Sequence, residues 1–390
     1  MIKLLSIFLP FFRRYTAIAT VIILCAPWSA YAIELSFPLD CSLHKDCFIQ
    51  RYVDMAPQSL TYGARDYRCR PTSSTRHQGT DIRLSNMVDI QRNISVRAAA
   101  NGTVIAVRNK FTDIPARFNI NLDKKDVCGN AVIIDHGEGW QSVYCHLRQN
   151  SISVKKGDNV SAGTTIAQIG ISGQSNFPHL HFQVNYYDIP VDPFSGKTLR
   201  TGCSPDNTIK AGLWSKKAHE HIGTDDTTSA ILNHGFSNHA PSITEARGGI
   251  YNHDTMSFTG NKLYLWTEIM NPMKGNTLRL EITSPDNRTK FKDYTLNKTT
   301  DIRFEDISFP RPESGWISGK YTGQISLLQN NRVIIQRTTH TNFSPSAVIG
   351  KATKEGIKSF RSSSLELLKE ISPSAGRSIH KVSNRLVSAN

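Results

Sequence analysis

The 390 residues contain no H-E-x-x-H, so the helical arrangement that sets two metal-binding histidines at i and i+4 is excluded. No C-x-x-C occurs either, which disfavours a cysteine-based zinc ribbon. No helix-turn-helix, zinc-finger or RNA-binding signature accompanies the formal charge of +14, so the basic balance does not argue for a nucleic-acid partner. The longest apolar run near the N-terminus, Ala17 to Cys25, falls short of the about 20 residues that a membrane span requires. Lys3, Arg13 and Arg14 precede it and Ala30-Tyr-Ala32 follows it, the pattern of a secretory signal cut after Ala32. An uncleaved anchor over residues 4 to 26 is the alternative. Cys25 follows Leu24 instead of a small residue and does not read as a lipoprotein site, and Arg13-Arg14 alone does not make a twin-arginine signal.

Loss of residues 1–32 removes three cations and no acidic residue, taking the charge from +14 to +11. Such a surface concentrates near anionic polymers and anionic lipid headgroups. Six cysteines remain, Cys41, Cys47, Cys69, Cys128, Cys145 and Cys203. An even count in an exported chain argues for oxidised pairs, and Cys41 with Cys47 is the easiest local closure among the pairings that stay open.

Three short motifs carry chemistry: His77 and Asp81 in Arg76-His-Gln-Gly-Thr-Asp-Ile82, His146 in Tyr144-Cys-His-Leu147, and His179 and His181 in Pro178-His-Leu-His-Phe182. Two neutral imidazoles and one carboxylate are a catalytic zinc set, which leaves a fourth position for solvent. One carboxylate leaves the ion a net positive charge, enough to bring bound water near neutrality and polarise a carbonyl. His179 to Val184 is rich in β formers, and in a strand i and i+2 share a face. His179 and His181 therefore look one way, with Leu180 and Phe182 toward a core. The same alternation sets Tyr144 and His146 on one face and Cys145 on the other, which expects Cys145 to point away from the site.

In order and context these motifs resemble the lysostaphin/LytM-type zinc endopeptidases, which cut peptidoglycan cross-links. The likeness runs over most of 75 to 195 and includes Ala-Asn-Gly-Thr-Val-Ile-Ala near 100 to 106, Val-Lys-Lys-Gly-Asp-Asn-Val near 154 to 160 and Val-Asp-Pro at 191 to 193. The resemblance implies one Zn2+ per catalytic domain, held by His77, Asp81 and His181. It implies that His179 activates water and His146 steadies the oxyanion or shares the proton, two roles that are exchangeable. It implies peptidoglycan as the partner and an exported, periplasmic location. Two departures bear on substrate choice: Phe177 stands where many members have Gly, and about 17 extra residues, Phe111 to Val127, follow the strand near 103 to 108. Phe177 and the strings around Cys47 and Cys128 look like a proteobacterial subgroup of secreted members.

Other histidines read more plainly. His221-Ile-Gly-Thr-Asp225 repeats the H-x-G-x-D spacing, and His219-Glu-His221 imitates H-x-H, but neither has an apolar strand beside it. His136 in Asp135-His-Gly-Glu-Gly139 reads as a hairpin residue.

The fold class expected is all-β, an antiparallel-sheet LytM-type catalytic domain followed by a small β-sandwich. The divisions are 1–32 signal, 33–74 cysteine-bearing segment packing on the catalytic unit, 75–203 metallopeptidase domain, 204–240 linker, 241–345 sandwich and 346–390 basic, Ser-rich, disordered tail. Leu213 and Trp214 are expected to seat the linker along the groove. Trp266 and Trp316 read as sandwich core in preference to ligand-stacking surfaces. Residues 364 to 371 hint at a short helix ended by Pro373, in a tail with eight Lys/Arg against three Glu from 351 on. That tail offers peripheral contact with an anionic wall or membrane surface. Two other readings stay open: a non-catalytic wall-binding or amidase-activating protein on the same scaffold, and an exported zinc peptidase acting on protein.

Overall fold

A computed structural model of the chain describes residues 33–58, 63–118, 122–205, 212–223, 228–251, 255–256 and 260–343. The export signal expected over 1–32 and the basic tail expected over 346–390, with its helix at 364–371, lie outside the described residues. The first part of the described chain supplies β1 (Phe48–Arg51), β2 (Thr80–Arg83), β3 (Ser95–Arg97), β4 (Gly102–Arg108), β5 (Asn130–Gly137), β6 (Trp140–Leu147), β7 (Asn159–Val160), β8 (Thr165–Gln168), β9 (His179–Tyr186), β10 (Ile189–Asp192) and β11 (Lys197–Thr198). Nine of them form one antiparallel sheet in the order β1-β2-β9-β6-β5-β4-β7, with β10 pairing β9 and β11. β3 and β8 pair separately and close over the core.

Alternation decides what each face of this sheet does. On β9 Leu180, Phe182 and Val184 are at most 1% exposed and meet Ile82, Tyr144 and Ile134 in the core. Each such side chain stabilises the fold by about 1.5–3 kcal/mol. A one-residue slip would turn all three to the opposite face, so their burial fixes the register that aligns the polar face. The cysteine-bearing segment joins the same core through Leu35, Leu39, Tyr52, Val53 and Tyr67. Trp214 corrects one expectation: it packs on Phe182, Phe194 and Phe37, on the core side of β9 and away from the histidine face.

Further along lie α1 (Lys216–Ile222), β12 (Ala230–Ser237), α2 (Ile243–Arg247), β13 (Thr255–Met256), β14 (Lys262–Met270), β15 (Thr277–Thr283), β16 (Thr289–Thr295), β17 (Ile302–Pro310), β18 (Gly319–Gln329) and β19 (Arg332–Phe343). Residues 204–240, read from composition as a connector, thus hold a helix and a strand. Two sheets, β12-β14-β17 and β13-β19-β18-β15-β16, share a core of Phe236, Leu263, Leu265, Leu280, Ile307, Tyr321 and Ile325. Trp266 is buried at 1% exposure and Trp316 packs against that core, as large apolar rings mostly do. Phe48 of β1 joins Ala230, Leu232 and Met270 in a small apolar cluster that ties the two assemblies together. The Asn271 amide adds a 2.9 Å hydrogen bond to the Gln50 carbonyl.

Candidate metal centre

The register of β2 on β9 sets Asp81 directly opposite His181 and Arg83 opposite His179. Directly opposed residues of an antiparallel pair share a face, so Asp81, His179 and His181 all project from the side away from the core. Gly79 lets the incoming chain approach: a Cβ there would lie 2.7 Å from His181 Nε2 and from the Phe182 carbonyl. His77 comes from the turn just before β2. Its Nε2 lies 3.0 Å from Asp81 Oδ1 and 3.2 Å from His181 Nδ1, and His181 Nδ1 lies 2.9 Å from Asp81 Oδ1. Tetrahedral zinc bonds of about 2.0–2.2 Å put neighbouring donors about 3.3–3.6 Å apart. The triangle is within a few tenths of an ångström of that spacing, and the donor set of two nitrogens and one carboxylate oxygen suits the same ion.

Ring orientation is fixed from outside the triangle. His77 Nδ1 donates to the Tyr52 carbonyl at 2.8 Å, leaving the Nε2 lone pair toward Asp81 and His181. His179 Nδ1 donates to the Phe177 carbonyl and meets Ser175 Oγ, each at 3.0 Å, and His146 Nδ1 donates to the Ser172 carbonyl at 2.8 Å. In both rings Nε2 is left as the proton acceptor. Such outer hydrogen bonds set tautomer and basicity around metal sites.

His146 reaches the site by a route that alternation does not predict. β6 pairs Tyr144 with Phe182 and Cys145 with His181, so Tyr144 lies on the core face and Cys145 shares the face of the histidines. The expectation that Cys145 points away, with Tyr144 and His146 together, is overturned. Against β5, Cys145 and His146 together oppose Ala131 alone, a β-bulge, and His146 takes φ 60°. Bulges re-aim side chains in this way. The extra residue turns His146 onto the site face, where its ring centroid lies 4.5 Å from that of His179 and 6.1 Å from that of His181. Cys145 carries no free thiol, because it is joined to Cys128.

Charge divides four of these groups in two. Burial alone would raise Asp81, but His77 and His179 hold its carboxyl well below the usual range. Burial opposes the charged form of His77, and the Asp81 carboxylate more than offsets it, raising His77. This corner favours a cation. Burial lowers His179 to about 4 despite Asp81, and burial, with the charges of His179 and His181, lowers His146 well below its ordinary value. Near neutral pH those two imidazoles are uncharged bases.

Asp113, Ala116 and Arg117 of the expected insertion grip the loop that carries the orienting acceptors. Asp113 accepts from the Gln149 and Ile171 amides at 2.9 and 2.8 Å, Ala116 donates to the Ser175 carbonyl at 2.6 Å, and Arg117 donates to Asn176 Oδ1 at 2.9 Å. Gly129 and Gly173, both at positive φ, meet so closely that a Cβ on Gly129 would come within 2.4 Å of Ser172.

His136 bonds the Asn101 carbonyl and Ser142, on the far hairpin. His219 and His221 lie on α1, where His221 packs on Phe37 at 4.8 Å, and Asp225 lies outside the described residues. Among the described residues one other group of metal-ligand type converges, Cys41, Asp46 and Cys47, and its two sulfurs are bonded to each other.

Residues 75–193 match Peptidase family M23. The peptidoglycan DD-endopeptidase ShyB of Vibrio cholerae is 32% identical over 142 residues, 36% of this chain and 28% of that protein. The DD-carboxypeptidase/endopeptidase Mpg of Neisseria meningitidis is 39% identical over 72 residues, 18% of this chain and 16% of that protein. The chain thus spans under a third of the length of these relatives. Among solved structures, a zinc-containing peptidase from Vibrio cholerae aligns at 29% identity over 37% of this chain and 39% of that one, with a TM-score of 0.23. The catalytic domain of lysostaphin from Staphylococcus simulans aligns at 21% identity over 37% and 96%, also with a TM-score of 0.23.

Proposed function

We propose, from the match of residues 75–193 to Peptidase family M23, that the chain is a zinc-dependent endopeptidase that hydrolyses amide bonds in the peptide cross-links of peptidoglycan. The observation that carries this reading is the triangle of His77, Asp81 and His181, with donors 2.9–3.2 Å apart and two further neutral imidazoles beside it. His77, Asp81 and His181 would hold the ion, which when bound supplies Lewis acidity to a carbonyl and lowers the pKa of water. His179 takes the proton of the attacking water at Nε2. His146 in its resting tautomer presents a lone pair at Nε2 and stabilises a negative oxygen only once it is protonated. The two rings therefore act as a pair, the protonated one hydrogen-bonding to the tetrahedral oxyanion and keeping its proton until it transfers it to the leaving amine.

The reading puts the mature chain beyond the inner membrane, in the periplasm, with the basic tail as a peripheral tether to anionic wall or lipid. The division at residue 203 belongs to the same reading, with the sandwich begun at Ala230, where β12 starts, in place of residue 241.

The test incubates the full mature chain with purified cross-linked peptidoglycan, with and without chelator, and identifies products by mass spectrometry. The expected result is cleavage at a peptide cross-link, with the D-Ala to diaminopimelate bond first, abolished by chelator and by His181→Ala. Chelator-insensitive cleavage, equal cleavage by His181→Ala, or cleavage of protein substrates alone contradicts the proposal.

A further inference from the structure

Arg83 is 1% exposed, yet among the described residues no carboxylate hydrogen-bonds or ion-pairs with it. It sits in a cross-strand row, with Phe48 of β1 on one side and His179 of β9 on the other. Its three donor groups end on neutral acceptors: Nε on the Leu84 carbonyl at 3.0 Å, Nη1 on Gln50 Oε1 at 3.0 Å and Nη2 on the Ser85 carbonyl at 3.3 Å. With its nitrogens so occupied, the guanidinium sets its central carbon over the Phe177 ring, 4.4 Å from the centroid. Phe177 in turn lays its ring on His179, 4.7 Å between centroids and 32° between planes. The carbonyl of the same Phe177 accepts the His179 Nδ1 proton at 3.0 Å.

The stack is anchored in the second assembly. Asn233 Nδ2 of β12 donates to the Ser85 carbonyl at 2.8 Å, the oxygen that Arg83 also uses, and to Glu268 Oε2 of β14 at 2.9 Å. Glu268 is fully buried and takes a 2.7 Å hydrogen bond from Arg247 Nε at the end of α2. Burial costs the Arg83 charge, lowering its pKa to about 10, and Glu268 opposes that loss. A buried guanidinium is retained here where a Met of similar volume would suffice to fill space. What Met lacks is the flat cationic face that fixes an aromatic ring.

We propose that Arg83 is a positioning residue for His179, acting through Phe177, and that the C-terminal β assembly holds it in place through Asn233 and Glu268. The proposal rests on the hydrolytic reading of the site. Phe177 and Arg83 form one device: the ring sets the plane of the His179 imidazole, its carbonyl sets the tautomer, and the guanidinium sets the ring.

The test uses the full mature chain and four variants, Phe177→Leu, Phe177→Tyr, Arg83→Met and the Leu/Met double variant. Readouts are kcat and KM on a defined cross-linked muropeptide dimer, bound zinc per chain, and the side-chain NMR signals of His179. Phe177→Leu and Arg83→Met are expected to lower kcat by about tenfold, a share of the about 10²–10⁴ that a positioned acid–base group contributes. KM stays within about twofold and bound zinc is unchanged. The double variant falls no further than the worse single variant, since both break one device. Phe177→Tyr keeps wild-type kcat, and the His179 signals move in the Leu and Met variants. A kcat for Phe177→Leu within about twofold of wild type overturns the proposal, as does a loss that tracks lost zinc or one that the double variant multiplies. If Arg83→Met does not fold, Phe177→Leu carries the test alone. If the wild-type chain cleaves nothing, the hydrolytic reading fails, and unmoved His179 signals in Phe177→Leu still decide against the stack.

Discussion

His146 holds a left-handed backbone conformation that costs a residue with a Cβ about 1–2 kcal/mol. That cost is offset by a 2.8 Å hydrogen bond from its own amide to the Cys128 carbonyl and by the neighbouring disulfide. Strain kept beside polar chemistry in this way marks a position held for its side chain. A second residue under tension is Asp192. Its Oδ1 accepts from the Phe194 and Ser195 amides and the Ser195 hydroxyl, while Oδ2, fully buried, has no partner among the described residues. Burial pushes this carboxyl up to about 7, against the hydrogen bonds of Ser195. Between about pH 4 and 7 the folded chain keeps a proton that the unfolded chain has released, so the stability it contributes is full below that window and lost as pH rises through it. Asp192→Asn should remove the dependence. Thermal midpoints across pH 4 to 8 check this: the wild type should lose stability relative to the variant, by on the order of a few kcal/mol. Parallel profiles would refute it.

At the scale of elements, the hairpin of β5 and β6 is where folding and chemistry meet. The bulge that delivers His146 is bracketed by the Cys128–Cys145 disulfide, which closes 17 residues. Closing a loop of that size stabilises a fold by about 3 kcal/mol. The double substitution Cys128→Ser, Cys145→Ser should lower the denaturation midpoint by that order. It should cut turnover at temperatures where circular dichroism still reports an intact fold, because His146 loses its support first. Unchanged turnover would detach the disulfide from the site.

The same elements show what a sequence reveals. H-x-G-x-D and H-x-H are legible because side-chain identity and a period of two survive in the letters, and β9 obeys that period from His179 to Val184. The bulge at Cys145 and His146 inserts one residue and reverses the parity, which no residue type announces. The acceptors that fix the rings, at Tyr52, Ser172 and Phe177, are main-chain carbonyls common to every residue. The cysteine partners depend on closure in space. β12 was hidden because Asn233, His234 and Gly235 interrupt its apolar residues, although Ala230, Ile231 and Phe236 are buried.

At the scale of the whole molecule, the two β assemblies meet through a joint that sets an apolar cluster beside the buried polar network of Arg83, Asn233 and Glu268, with exposed polar contacts around them. Phe48, 2% exposed, inserts between Ala230, Leu232 and Met270, while Arg51 pairs with Asp301 and the Arg337 guanidinium reaches the His44 carbonyl at 2.9 Å. The exposed pair contributes little beside the buried ring. Phe48→Ala should therefore cost about 3–5 kcal/mol, read from chemical denaturation of the full chain, whereas Asp301→Ala should cost under about 1 kcal/mol. A small loss at Phe48 would mean that the joint is loose.

The Cys69–Cys203 disulfide spans 134 residues and encloses all five side chains of the candidate centre in one covalent ring. A single proteolytic nick within that circle, for instance at the exposed Phe118, would yield two pieces still joined through Cys69 and Cys203. Damage to one peptide bond then need not scatter the parts, and the chain would outlast its own breakage.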